Sequence, residues 1–147
     1  TTIPAELISR MAKSDWALCR YLHLPIQSGS DGVLQAMRRK YSLAEYEKFV
    51  ADAMLKMPDM GLGTDVIVGF PGETAEQFDE TYATFERLPF SYFHVFSYSE
   101  RKGTRSGKMT VEKVPEDLIA RRSEALRKLS DQKKQKFLES LFHAGVF

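Results

Sequence analysis

Three polar or glycine-rich stretches of this chain carry residue types that bind nucleotides, carboxylates and phosphates. They are QSGS at 27–30, GFPGET at 69–74 and SYSERKGT at 97–104. Gln27 and Ser28 could exchange hydrogen bonds with a ribose or a carboxylate, and Arg101 and Arg105 could pair with a carboxylate or a phosphate. The alternative is structural, because the first stretch could be a capped turn and the third a solvated loop.

The second stretch combines two glycines, a proline and the start of a helix. Gly69 would let the backbone approach a ligand closely, and Gly72 permits a positive φ just before the helix. Glu73 and Thr74 stand at the helix N-terminus, where free N–H groups favour anions. No Gly-Lys-Ser/Thr follows, so the stretch is not a P-loop, and a tight strand-to-helix turn remains the alternative.

Each of the three stretches ends or follows a segment with the pattern of a β-strand. Strands are predicted at about 20–26, at 64–70 and at 92–98. The second is nearly continuous apolar sequence, which is typical of a strand buried on both faces. The third is rich in aromatic and β-branched residues, which favour strands.

Helices are predicted before, between and after these strands. Capping boxes at Ser42 with Glu45 and at Thr74 with Gln77 mark two helix starts, and the apolar residues that follow recur at helical spacing. A long last helix is predicted from Pro115 to about residue 143. The resulting order, α-β-α-α-β-α-β-α, indicates parallel βαβ units and therefore an α/β fold.

In a parallel α/β sheet the ligand lies at the carboxyl ends of the strands. Because all three stretches lie where a strand ends, we expect them to contribute to one shared site. Three strands are too few to close a barrel, so the chain should form part of a barrel or a small open sheet. Such a sheet has an unpaired edge strand, through which we expect the chain to self-associate.

Asp65 is a polar residue inside an apolar strand, and burying it without a partner would be costly. Alternation along the strands places His23 and Gln27 on one face of the first strand, and Asp65, Ile67 and Gly69 on one face of the second. Asp65 is therefore expected to pair with His23 or with a neighbouring threonine. His23 and His94 themselves are expected to be hydrogen-bonded histidines of the core.

The composition is that of one ordinary globular domain. The chain has 147 residues, of which 43% are hydrophobic and 28% are charged, and a net charge of +1. Its single cysteine, Cys19, cannot form an internal disulfide, and no spacing of cysteine and histidine predicts a metal site. The basic segment 121–136 could contact nucleic acid, although a solvated helix face is the alternative.

Four motifs, in this order and spacing, resemble those of the methylthiotransferases, a branch of the radical S-adenosylmethionine (SAM) enzymes. They are HLPIQSGSD at 23–31, MRRKY at 37–41, TDVIVGFPGET at 64–74 and FSYSERKGT at 96–104. The resemblance implies that residues 1–108 are the later half of a radical SAM partial barrel, with the last three of six strands. It implies that residues 109–147 lead toward an RNA-binding TRAM domain. Apolar segments at both ends of the chain also suggest a fragment of a longer protein.

The family's chemistry implies cofactors and partners for the intact protein. Its members use SAM and 4Fe–4S clusters, and the branch most similar to this chain adds a methylthio group to threonylcarbamoyladenosine in tRNA, in the cytoplasm. The cluster loop, CxxxCxxC, is absent from this chain, so the chain alone should hold no cluster and catalyse nothing. The alternatives are the branch that modifies a ribosomal protein and a non-catalytic α/β module that binds nucleotides or RNA.

The resemblance also implies roles for particular residues at the strand ends. Arg101 and Arg105 would face the substrate. The positions that match the SAM site are Gln27, Ser28, Asp65, Ile67, Gly69, Phe96, Ser97 and Tyr98.

Overall fold

Three parallel strands form one sheet in the order β1-β2-β3, as a computed structural model describes for residues 5–13, 19–100 and 110–143. The element order is the predicted one, which confirms the α/β class and is consistent with part of a β/α barrel. The elements are α1 (Ala5–Met11), β1 (Tyr21–His23), α2 (Asp31–Ala36), α3 (Leu43–Lys56), β2 (Gly61–Val68), α4 (Ala75–Arg87), β3 (Tyr92–Ser97) and α5 (Glu116–His143).

The core lies between one face of the sheet and the helices. The strands contribute alternate side chains to this helix-side face, among them Leu62 and Val66 of β2 and Phe93 of β3. The helices contribute Phe85 of α4 and Leu126 of α5, both fully buried. Because side chains alternate along a strand, the helices cover one face of the sheet, and the second face carries the remaining side chains.

The first strand is shorter than predicted, because a bulge interrupts its pairing after His23. His23 pairs with Gly63, and an uninterrupted register would bring the residue before Gln27 opposite Val66. Instead Gln27 itself pairs with Val66, so the strand holds one extra residue there. Pro25 lies inside this bulge and has no N–H to donate to a ladder, which is why the regular strand ends early.

Side chains from neighbouring elements satisfy the backbone of this bulge. The Thr64 hydroxyl donates to the Leu24 carbonyl at 2.6 Å and accepts from the Ile26 N–H at 3.0 Å. Tyr46 donates to the same Leu24 carbonyl at 2.8 Å, and Tyr41 donates to the Ile26 carbonyl at 3.0 Å. Thr64 is fully buried, and its hydroxyl explains why a valine would not serve at this core position.

Both predicted capping boxes are present, at the starts of α3 and α4. In the first, the Ser42 hydroxyl accepts from the Glu45 N–H at 3.2 Å, and the Glu45 carboxylate accepts from the Ser42 N–H at 2.8 Å. These bonds satisfy N–H groups that have no partner within the helix.

We expect Ser42→Ala to lower the free energy of unfolding by about 1 kcal/mol, because it removes the acceptor for the Glu45 N–H. Urea denaturation followed by circular dichroism measures this change. Ser99→Ala, in an exposed segment outside any helix, is the matched control and should change stability by less than about 0.5 kcal/mol. Equal effects of the two substitutions would contradict a capping role for Ser42.

The long last helix, α5, begins and ends where the sequence predicts and packs along β3 and β2. The Ser130 hydroxyl of α5 accepts from the Phe93 N–H at 2.9 Å and donates to the Phe93 carbonyl at 2.8 Å, which protects the backbone of β3. Among the described residues β1 pairs only with β2, so the other edge of β1 has no strand partner. Self-association through that edge stays a prediction.

Candidate functional site

The carboxyl ends of the three strands lie side by side. The Gln27 carbonyl accepts from the Ile67 N–H at 2.9 Å, and the Tyr98 N–H donates to the Val68 carbonyl at 2.7 Å. The three stretches singled out in the sequence therefore start from the same end of the sheet, where the strands have their carboxyl termini. Arg101 and Arg105, the predicted substrate contacts, lie outside the described residues.

The first stretch is anchored to α4 by hydrogen bonds. The Ser28 hydroxyl lies 3.1 Å from the Thr81 hydroxyl, which also accepts from the Gly29 N–H at 3.1 Å. The Thr84 hydroxyl donates to the Gly29 carbonyl at 3.2 Å. Ser28 is only 1% exposed, so its hydroxyl helps to pack the loop on α4. Of the two roles considered for this stretch, ligand binding or structure, the hydroxyl of Ser28 has the structural one.

Gly29 permits this contact, because a side chain there would have no room. A Cβ atom at Gly29 would lie 2.7 Å from the Thr84 Cβ and 2.8 Å from the Thr81 Cα. The small residues of QSGS therefore let the loop lie flat on α4, which brings the end of β1 into a defined position.

Gln27 is the residue of this stretch that is set apart by its backbone. It has a φ of +76°, which non-glycine residues rarely adopt, and its N–H donates to the Asp65 carbonyl at 2.9 Å. Its amide makes no hydrogen bond to another side chain or to backbone within the described residues, and it is half-buried. Strain of this kind is concentrated at ligand sites, so Gln27 stays a candidate ligand contact.

Gly69 has a positive φ of +78°, but its close neighbour is a helix of the protein. A Cβ atom at Gly69 would lie 2.4 and 2.5 Å from two side-chain carbons of Ile119 in α5. The backbone at Gly69 was expected to lie close to a ligand, but it lies close to α5 instead. A larger residue at this position would therefore destabilise the fold before it affected a ligand.

Glu73 forms a buried ion pair that joins the second stretch to α5. Its carboxylate lies 2.7 Å from the Arg122 guanidinium, and the side chains are 3% and 6% exposed. The carboxylate also accepts from the Gly69 N–H at 3.2 Å, and the guanidinium lies 5.0 Å from the centre of the Phe78 ring. Burial raises the pKa of Glu73, while the bond from Gly69 and the charge of Arg122 act in the opposite direction.

The sequence did not single out Arg122, because it stands in the basic segment 121–136, for which contact with nucleic acid and a solvated helix face were the two alternatives. Its role becomes visible only in the structure, where α5 places its guanidinium against the carboxylate of Glu73, which is far away along the chain. At this turn the Gly69 N–H donates to the carboxylate of Glu73, in keeping with the structural alternative of a tight strand-to-helix turn.

The last residue of β3 and the residue after it make different contacts. The Ser97 hydroxyl lies 3.0 Å from the Ser123 hydroxyl of α5, so it faces the helices. The Tyr98 ring packs edge-on against Phe70 at 5.6 Å between centroids. Its buried hydroxyl has no hydrogen-bond partner within the described residues, so a ligand at the strand ends could supply one.

The second face of the sheet, called the open face here, carries exposed and half-buried side chains. They are Tyr21, His23, Asp65, Ile67, Tyr92, His94 and Phe96. Phe96 is 53% exposed, next to Ile67 on the neighbouring strand. This is the face that, with the strand ends, can receive a ligand.

Asp65 contacts both histidines on the open face. Its Oδ1 atom lies 3.2 Å from His23 Nε2 and 3.2 Å from His94 Nδ1. The predicted pairing of Asp65 with His23 is confirmed, but the prediction of core histidines is wrong, since the side chains of His23 and His94 are 33% and 56% exposed. Both point from the face of the sheet that the helices leave open.

Tyr21 and Tyr92 lie one layer below this group on the same face. Their rings stack in parallel with centroids 6.3 Å apart, and their hydroxyls are hydrogen-bonded to each other. Burial and the bond to Tyr92 raise the pKa of Tyr21 to about 12, so its hydroxyl stays protonated at neutral pH. Gly63 leaves space between them, because a Cβ there would lie 2.5 Å from the Tyr21 hydroxyl.

The cofactors implied by the resemblance fit this site unequally. SAM needs an apolar surface for its adenine and polar partners for its ribose and amino acid part, and Ile67 with Phe96, and Gln27 with the unpaired Tyr98 hydroxyl, offer these. A 4Fe–4S cluster needs several thiolates. The chain's one cysteine, Cys19, precedes β1 and so lies toward the opposite end of the strand, and these residues do not fit a cluster.

Comparison with known proteins identifies the family. Residues 1–85, more than half of the chain, match the family described as the Radical SAM superfamily. The chain is 40% identical over 130 residues to "Threonylcarbamoyladenosine tRNA methylthiotransferase MtaB" of Aquifex aeolicus, covering 88% of this chain and 32% of that relative. It is 44% identical over 134 residues to the protein of the same name in Bacillus subtilis, covering 88% and 28%.

A relative whose name gives a different substrate is also similar. The "tRNA-2-methylthio-N(6)-dimethylallyladenosine synthase" of Nitratidesulfovibrio vulgaris is 40% identical over 124 residues, covering 84% of this chain and 27% of that relative. The chain thus spans about a third or less of the length of these three relatives. None of the helices in the described ranges has the length and apolar character needed to cross a membrane.

Proposed function

The chain belongs to the radical SAM superfamily, and we propose that it supplies part of the SAM site of a tRNA methylthiotransferase. The proposed reaction adds a methylthio group to carbon 2 of the adenine in threonylcarbamoyladenosine. The observation that carries this proposal is the identity of 40% and 44% to two proteins named for that activity, over 88% of the chain.

Four residues are proposed to hold SAM at the strand ends and on the open face. Ile67 and Phe96 would pack on the adenine, while the Gln27 amide and the Tyr98 hydroxyl would accept or donate hydrogen bonds. When bound, SAM supplies radical chemistry and the methyl group, and the residues named here bind and orient it.

The other predicted contacts are proposed to act indirectly or through their backbone. Three of them contact helices and would therefore hold the strand ends in position: Ser28, Gly69 and Ser97. Asp65 is committed to His23 and His94 on the open face. Arg101 and Arg105 remain proposed contacts to the substrate.

The proposal extends to the rest of the protein and its setting. Residues 109–147 would lead toward an RNA-binding domain, with residues 1–108 as the barrel half. The substrate would be tRNA in the cytoplasm, and the clusters would take their ligands from outside this chain.

The test is to express the complete gene in which the coding sequence of this chain lies, including the part that supplies the cluster ligands, in a bacterium lacking its own methylthiotransferases. Its tRNA nucleosides are then analysed by mass spectrometry. We expect 2-methylthio-threonylcarbamoyladenosine to appear. Gln27→Ala should reduce it strongly, because it removes a SAM contact, while Gln35→Ala, exposed on α2, should leave it unchanged.

Other outcomes would replace this function with a defined alternative. A methylthio group only on dimethylallyladenosine would move the chain to the second class of relatives. A methylthio group only on a ribosomal protein would make that protein the substrate. No methylthio product, with SAM or RNA still bound, would indicate a non-catalytic binding module.

A further inference from the structure

We propose that His23, Asp65 and His94 form a binding site for one divalent transition-metal cation of the Zn²⁺ type, separate from any cluster. The three residues come from three different strands and meet on the open face. No spacing in the sequence indicates this site, because its ligands are far apart along the chain. The inference does not rest on the proposed function.

The geometry places three ligand atoms around one point. His23 Nε2, Asp65 Oδ1 and His94 Nδ1 all lie within 4.8 Å of one another, and Oδ1 is 3.2 Å from each nitrogen. Zinc binds histidine nitrogen at about 2.0–2.1 Å and carboxylate oxygen at about 2.0–2.2 Å, which separates neighbouring ligand atoms by roughly 3 to 3.5 Å. Small rotations of the side chains would therefore bring all three atoms onto one ion.

The sheet holds the three side chains next to one another on its open face. Asp65 pairs directly with His94 across β2 and β3, and His23 pairs with Gly63, two residues before Asp65. Strands place ligands more rigidly than loops do, so the cation would find its ligands already gathered.

The donor set suits a first-row transition metal and leaves positions open. Two imidazoles and one carboxylate are common ligands of zinc, iron, cobalt and manganese. The three side chains are between 20% and 56% exposed, so a cation could enter and bind a further oxygen ligand from solvent or substrate. A closed structural site would have four protein ligands instead.

A neighbouring group can orient one of the ligands. The Tyr21 hydroxyl lies 3.4 Å from His23 Nδ1, on the side of the ring opposite to Asp65. When Nε2 binds a metal, Nδ1 carries the proton and needs an acceptor, and the Tyr21 hydroxyl is placed to accept it.

Hydrogen bonds alone offer a second explanation of the same contacts, since Asp65 could simply accept from both rings. The two explanations differ in one measurable respect. A hydrogen-bonded trio binds no cation selectively, whereas a metal site binds one ion per chain and uses both imidazoles.

The test is a titration of the purified, untagged chain with Co²⁺, followed by visible absorption, and then displacement by Zn²⁺. We expect one Co²⁺ per chain, with d–d bands of a site of low coordination number. His94→Ala and Asp65→Asn should each weaken binding by about tenfold or more, because the first removes an imidazole ligand and the second replaces a charged carboxylate with a neutral, weaker amide oxygen. His143→Ala, at the end of α5, is the matched control and should bind as the parent does.

X-ray absorption of the Zn²⁺ form of the parent chain adds a measurement that needs no variant. Two imidazole ligands are expected. Absence of binding at one ion per chain, or binding unchanged in His94→Ala and Asp65→Asn with intact circular dichroism, would overturn the proposal. No step uses SAM or tRNA, so this result is independent of whether the proposed function holds.

Discussion

Gly69→Ala is expected to lower the free energy of unfolding by about 3 kcal/mol. An L-residue at a φ of +78° costs roughly 1–2 kcal/mol, and crowding in a packed core adds typically 1–3 kcal/mol. The crowding arises because the new Cβ would lie 2.4 Å from Ile119, which is 9% exposed and belongs to the core. Urea denaturation of the parent and the variant measures the difference.

Gly72→Ala separates the two contributions. Gly72 has a similar φ of +84°, but a Cβ there would meet Val111 at 3.5 Å, an ordinary contact distance. It should therefore show the conformational cost alone, about 1–2 kcal/mol. In a chain that already carries Ile119→Ala, which has its own cavity cost, Gly69→Ala should cost less than it does in the parent, because the smaller side chain makes room for the new Cβ. Equal effects at Gly69 and Gly72 would show that α5 does not restrict position 69.

Much of the fold could be predicted because its signals are local. The capping boxes at Ser42 and Thr74 and the proline before α5 mark helix starts within a few residues, and the helices follow there. The apolar run that contains Val66 and Val68 indicates a buried strand, although β2 begins three residues before the predicted start at 64, at Gly61. Glycine is rare in strands, so its presence there hid the start of the strand.

The details of the candidate site could not be predicted, because they depend on contacts between distant residues. The bulge at Gln27 follows from its pairing with Val66 and from the Thr64 hydroxyl, neither of which is visible near Gln27 in sequence. The exposure of His23 and His94 depends on which face of the sheet the helices cover. Strand alternation could group these residues, but it could not say which group faces the core.

A second large effect is expected at the buried ion pair between Glu73 and Arg122. Arg122→Met should lower the free energy of unfolding by about 3–5 kcal/mol, because it leaves the Glu73 carboxylate buried without its partner. The guanidinium is 6% exposed and bound at 2.7 Å, so water cannot replace it without opening the contact between the turn and α5. Chemical denaturation of the parent and the variant measures the loss.

The double variant Glu73→Gln/Arg122→Met shows whether the pair acts through its charges. It removes both charges while keeping similar volume, so it should be more stable than the Arg122→Met variant.

The neighbouring pair of Arg121 with Asp117, at 2.9 Å but more than 70% exposed on both sides, is the matched control. Arg121→Met should change stability by about 0.5 kcal/mol or less, since an exposed ion pair contributes little. If Arg121→Met and Arg122→Met had the same effect, burial would not be what makes the pair between Glu73 and Arg122 important. The turn after β2 would then be held to α5 mainly by the contact of Gly69 with Ile119.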